Sequence, residues 1–84
     1  MSKNNSVLKI NEIDIFLLDI EMSGLNGMEL GYKIREINKG AIIIYITGFK
    51  DYALNAFEIR SFNYIMKPIS YEKFYNVISE AIEL

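Results

Sequence analysis

The chain has no cysteine and no histidine. Disulfide scaffolds, zinc centres, thiol nucleophiles and imidazole general acids are therefore excluded together, and any chemistry must come from carboxylates, lysines, hydroxyls and backbone. Charge of one sign is scarce as well. Nine Lys and Arg against eleven Asp and Glu leave a net charge of −2, with no basic stripe to neutralise a nucleic-acid backbone, which argues against a direct nucleic-acid partner. Long hydrophobic runs are missing. The longest, residues 41–46, is far short of the ~20 residues of a membrane-spanning helix, and the opening Met-Ser-Lys-Asn-Asn leads into no signal-peptide core. The expectation is a soluble, cytoplasmic protein without membrane contact. At 84 residues there is room for one small domain, burying roughly 60–65% of its unfolded surface, with no covalent staple to help.

What is present is apolar. Hydrophobic residues make up 51% of the chain and aromatics 13%, with a mean hydropathy of +0.14, too much for a disordered segment. Residues 1–12 begin polar and turn-like and are expected to be flexible or a residual helix. Ile13–Leu18 is a short branched run that reads as a strand buried on both faces. The segment 21–27 holds two glycines and an Asn-Gly step, a loop signal. Leu30, Ile34 and Ile37 recur at helical spacing, predicting a helix over 27–38 that stops at Asn38 and Gly40. Residues 41–47 form a second β-branched strand ending at Gly48. Asp51 is a plausible cap for a short helix with Ala53, Ala56 and Phe57 inward. Asn63–Met66 is a third strand, closed by Lys67-Pro68. Ser70 caps a last helix whose apolar stripe is Phe74, Val77, Ile78, Ala81 and Ile82.

Strands alternating with helices predict an α/β fold of three parallel strands with helices on both faces. In such sheets the ligand site lies beyond the carboxyl ends of the strands. There the chain places Asp19, Thr47 and Lys67. Singly these are ordinary: a turn residue, a β-former, a solvated cation. At three successive strand ends they make a set, in which a carboxylate can attack phosphorus while an ammonium and a hydroxyl hold the transferred oxygens. Gly31 inside the first helix costs ~1 kcal/mol relative to Ala, and either permits close packing or is neutral. Tyr52, Tyr71 and Tyr75 are partial core or a partner surface, while Met22, Met28 and Met66 read as core filler.

Phe16-Leu-Leu-Asp19-Ile-Glu-Met, then Asn26-Gly27, Ile44-Tyr-Ile-Thr47-Gly and Tyr64-Ile-Met-Lys67-Pro68 occur in order. This series resembles the receiver domain of bacterial two-component response regulators, and 52–68 is similar in particular to receivers of LytTR-type transcription regulators. The resemblance covers about residues 11–84. It implies a truncated flavodoxin-like fold and a phospho-acceptor module working with a sensor histidine kinase, controlling transcription through a DNA-binding domain outside this chain. Asp19 would be the phosphorylated residue, Thr47 the switch hydroxyl, Lys67 the phosphate-binding lysine and Tyr64 the aromatic that moves with activation. Asp19 and Glu21, the latter through its backbone carbonyl, would be the metal ligands for Mg²⁺. A cis Lys67–Pro68 bond is expected, turning the lysine toward the site.

The resemblance has departures. Ser23 stands where the family usually has Pro. The family's opening strand, first helix and second strand have no counterpart, and with them goes the acidic pair that holds Mg²⁺. Asp14 cannot replace it, since it lies five residues before Asp19, ~17 Å along the same strand. Weak or absent Mg²⁺ binding and impaired phosphorylation follow as expectations. So does an unpaired apolar edge at Ile13–Leu18, a template for a homo-oligomer. Two other functions fit parts of the pattern. One is a dimerisation module that keeps receiver packing without phosphate chemistry. The other is a haloacid-dehalogenase-like phosphatase fragment with Asp19 as nucleophile and Glu21 as acid/base, although such enzymes need a longer chain and usually carry Asp at the second position.

Overall fold

The computed structural model describes residues 6–10, 13–22 and 25–83. In chain order the elements are β1 (Ser6–Ile10), β2 (Ile13–Leu18), β3 (Glu21–Met22), β4 (Leu25–Asn26), α1 (Gly27–Ile37), β5 (Ile42–Thr47), α2 (Ala53–Ile59), β6 (Asn63–Met66) and α3 (Tyr71–Ile82). The main sheet has the order β1-β2-β5-β6. Its last three strands are parallel, with Phe16 opposite Ile43 and Tyr45 opposite Tyr64.

Because these strands follow one another in space as in sequence, successive crossovers step the same way and put α1 and α2 on one face. The chain returns after β6, which leaves α3 on the other. β5 explains its own composition. Ile43 and Tyr45 face the α1/α2 core with Leu18, Met28, Ala56 and Ile59, while Ile42 and Ile44 face the α3 core with Ile15, Ile65, Val77 and Ala81. A strand covered on both sides cannot alternate polar and apolar residues. Each isoleucine buried there contributes about 1.5–3 kcal/mol.

Asn26 caps α1, its side chain accepting from the Met28 N–H at 2.8 Å, and Ser70 caps α3 by accepting from Lys73 N–H at 3.1 Å. The α3 stripe is anchored by Val77 and Ala81, with Ile82 at its exposed margin.

Several expectations are corrected. The start of the chain is not all flexible or helical: β1 lies antiparallel on β2, from Ser6 opposite Leu17 to Ile10 opposite Ile13. Residues 1–5 and 11–12 lie outside the described residues. The sheet thus has a fourth strand, and the Ile13–Leu18 edge expected to seed a homo-oligomer is already paired. Its N–H and C=O groups are met by β1, which removes the reason for a second copy there. The 21–27 segment contains the short antiparallel pair β3–β4, with Ser23 outside the described residues.

Asp51 does not cap α2. Tyr52 stands at that position without a side-chain cap bond, and Ala56 and Ile59 point inward while Ala53 and Phe57, both expected inward, are exposed. Met28 is core, but Met66 is exposed. Tyr71 and Tyr75 are exposed too and stack on one another with ring centroids 6.3 Å apart. No helix among the described residues is long and apolar enough to cross a membrane.

Candidate functional site

The carboxyl ends of β2, β5 and β6 open at one rim. Asp19 follows β2, Thr47 ends β5 and Lys67 follows β6, the places the sequence assigns them. Lys67 Nζ lies 2.5 Å from Asp19 Oδ2, a charge-assisted hydrogen bond between residues 48 positions apart. The Asp19 side chain is 7% exposed and the lysine's 46%, so the carboxylate is recessed and the cation reaches it from solvent. Lys67 is aimed by its backbone. Its N–H donates to the Thr47 carbonyl at 2.8 Å, extending the β5–β6 ladder, and the following bond to Pro68 is cis, as expected.

Thr47 is fully buried, and its Oγ1 accepts from the Phe49 N–H at 3.2 Å. That bond occupies one lone pair and leaves the hydroxyl's own proton to be donated elsewhere. Tyr64 approaches the same residue from β6, its hydroxyl donating to the Phe49 carbonyl. Phe49 is therefore held through its N–H by Thr47 and through its C=O by Tyr64. Burial is the main reason the Tyr64 phenol titrates above its ordinary value; a backbone hydrogen bond at Tyr52 pulls the other way, and Asp51, Tyr52 and Asp19 add to the rise.

The loop after Asp19 is closed by Gly27. Its N–H donates to the Ile20 carbonyl at 2.8 Å, and a Cβ there would overlap the Asp19 carbonyl oxygen. The Asn-Gly step that reads as a loop signal thus supplies a helix cap and a close approach at once. Sequence reasoning missed Tyr45, counted only as part of an apolar run. It is completely buried, its hydroxyl donates to the Gly27 carbonyl at 3.1 Å, and its ring lies 6.0 Å from that of Tyr64. Gly31 makes room for it, since a Cβ there would overlap the Tyr45 hydroxyl. A phenol within a run of isoleucines, opposite a helix carrying a glycine, was the available signal.

The structure brings together Asp19, Thr47, Tyr64 and Lys67. Glu21 sits in β3, and its side chain lies outside what is described. Asp14 is at the other end of β2, where it accepts from Asn38 Nδ2 at 3.1 Å. A magnesium ion asks for near-octahedral oxygen ligation. Among the described residues no group of three or more Asp, Glu, His or Cys could hold a metal ion, and the Asp19 carboxylate at the rim is matched by Lys67.

Residues 2–79 match the protein family described as response regulator receiver domain. The chain is 36% identical over 73 residues to the transcriptional regulatory protein LytR of Staphylococcus aureus (strain N315), covering 87% of this chain and 30% of that protein. It is 43% identical over 63 residues to the sensory transduction protein LytT of Oceanobacillus iheyensis, covering 73% and 26%. The solved response regulatory domain of protein MrkE from Klebsiella pneumoniae superposes with a TM-score of 0.72 at 33% identity, covering 80% of this chain and 57% of that one. A response regulator receiver domain protein from Clostridium thermocellum gives 0.75 at 31%, with 87% and 60% covered. The chain spans less than a third of the length of these curated relatives.

Proposed function

Because the chain belongs to the response regulator receiver domain family, we propose that it is a cytoplasmic phospho-acceptor module of a two-component system, with Asp19 as acceptor. Receiver domains interact with sensor histidine kinases, and transcription control would be exercised by a longer protein through a separate DNA-binding domain. The observation that carries this reading is the recessed Asp19 carboxylate, 2.5 Å from Lys67 at the strand-end rim that also holds Thr47.

In the step proposed, an Asp19 oxygen attacks the phosphorus of a phosphohistidine. The P–N bond breaks with its electrons going to the imidazole, and a P–O bond forms, leaving an acyl phosphate on Asp19. Lys67 then faces phosphoryl oxygens instead of a bare carboxylate. The unused Thr47 proton is donated to one of those oxygens, which draws on the bond between Thr47 and Phe49 and so on the placement of Tyr64.

For the 84-residue chain the reaction is slow. A phosphoryl group brings ~1.5–2 negative charges to a carboxylate that already faces Lys67 at 2.5 Å, and among the described residues no group of three or more Asp, Glu, His or Cys could hold a metal ion beside it. Intact-mass analysis during incubation with acetyl phosphate and Mg²⁺ tests both parts. The expected result is slow, sub-stoichiometric addition that Asp19→Ala abolishes. Addition surviving Asp19→Ala would overturn the acceptor assignment, and rapid stoichiometric addition would overturn the impairment.

A further inference from the structure

Tyr45 has a polar atom where packing asks for none. Phenylalanine would fill the same space in β5, yet the chain carries a phenol there and a glycine, Gly31, on the facing helix to receive its oxygen. A hydroxyl in a buried apolar layer must find a partner, and this one finds the carbonyl of Gly27. Gly27 in turn holds Ile20 by its N–H and abuts the Asp19 carbonyl, so the phenol reaches the acceptor loop in one step.

On its other side the Tyr45 ring lies against that of Tyr64, its direct neighbour in the β5–β6 register, at an interplanar angle of 46°. Tyr64 fixes the Phe49 carbonyl, whose residue also binds Thr47. One rigid side chain thus touches both halves of the rim. Burial pushes the phenol far above its ordinary value and keeps it a donor.

We propose that Tyr45 is a positioning residue of the acceptor rim: its hydroxyl bond to Gly27 and its ring contact with Tyr64 make the placements of the Asp19 loop and of Tyr64 depend on each other. This link runs beside the one through Thr47, and its functional meaning rests on the reading of Asp19 as acceptor.

Nuclear magnetic resonance on the full 84-residue chain tests it. Asp19→Asn changes the charge at the rim and is expected to move the Tyr64 ring and Phe49 amide signals. In a Tyr45→Phe background the same change is expected to move them less than half as far. Equal displacements in the two backgrounds, or none in the parent chain, would overturn the proposal. Read from the other side, Tyr64→Phe is expected to move the Ile20 and Gly27 amide signals, and to move them less in the Tyr45→Phe background. Should Tyr45→Phe not fold, the Tyr45 Cζ shift in the otherwise native chain decides: it moves with Asp19→Asn if the link exists and stays if it does not. These shifts are read without a phosphoryl donor, so a failed link and a failed acceptor assignment appear in different experiments.

Discussion

Asp14 and Asp19 stand at the two ends of β2, and the strand gives them different neighbours. Asp14 is half-buried and meets a neutral amide, that of Asn38, at the C-terminal end of α1. Asp19 is buried and meets the Lys67 ammonium. Two cations, one near each end, differ as well. At the Asp14 end Arg35 gives its donors to backbone carbonyls: Ile59 at 2.8 Å, Lys39 at 2.9 Å, and Asn38 and Arg60 at 3.3 Å. It closes the carboxyl ends of α1 and α2 together. In a parallel sheet with crossover helices, the amino ends of the strands collect helix carboxyl ends, whose orphan carbonyls attract cations. The other rim collects loops and helix amino ends, so its cation is left for a side chain. A lysine that binds a carboxylate is available to chemistry, whereas an arginine spread over four carbonyls belongs to the scaffold.

Alkaline pH should break the contrast most strongly, because the fully buried phenol belongs to the rim side of the core. Burial raises the Tyr45 phenol well above its ordinary value of 10.0, with smaller contributions from Tyr32 and Tyr64. Above pH 10 the unfolded chain releases this proton and the folded chain keeps it, so the unfolded state binds fewer protons and stability falls as pH rises. Below pH 10 the group contributes no slope. Between pH 10 and 12 the expected loss is about 2–3 kcal/mol, from ~1.4 kcal/mol per pH unit, read from urea midpoints. Tyr45→Phe should flatten that part of the profile, and an unchanged slope would show that other groups carry it.

The rim's ion pair comes next. Lys67→Met keeps the length of the side chain and removes the charge, leaving the recessed Asp19 carboxylate without its ammonium. Losing a charge-assisted bond costs about 1.5–3 kcal/mol when buried. Because Lys67 is half-exposed, about 1–2 kcal/mol is expected in denaturant titration. Asp19→Asn combined with Lys67→Met should cost less than the sum of the two singles. Additive losses would mean that the 2.5 Å contact carries no coupling energy.

The three parallel strands and the helices between them were legible because their signals are local: branched apolar runs, an Asn cap, a Ser cap and a stripe at helical spacing. Asp19, Thr47 and Lys67 were legible as a set because topology alone puts strand ends together. Three things were not. The residues of β1 carry a strand-length run, but pairing it back onto β2 is a choice between neighbours that no local pattern makes. The buried face of α2 is Ala56 and Ile59 rather than Ala53 and Phe57, and a helix of seven residues is too short for an apolar stripe to fix its phase. Tyr45 was hidden because a phenol counts as apolar until its oxygen is found to need a partner, which lies 18 positions away in Gly27.

The smallest expected effect sharpens the opening contrast by making the same substitution at both ends of β2. Asp14→Asn swaps a carboxylate oxygen for an amide oxygen that can still accept from Asn38 Nδ2. Because Asn38 keeps its acceptor, the change at this bond should be no more than about 0.5 kcal/mol. Asp19→Asn leaves Lys67 facing a neutral amide, and its cost should be at least twice as large, since hydrogen bonds to charged groups are worth roughly twice neutral ones. Urea titrations of the two variants, with the Lys67→Met variant as reference, settle the matter. If Asp14→Asn cost the same as Asp19→Asn, the carboxylate at the amino end would be held no less firmly than Asp19. The asymmetry between the ends of the strand would then lie in exposure rather than in how firmly each charge is held.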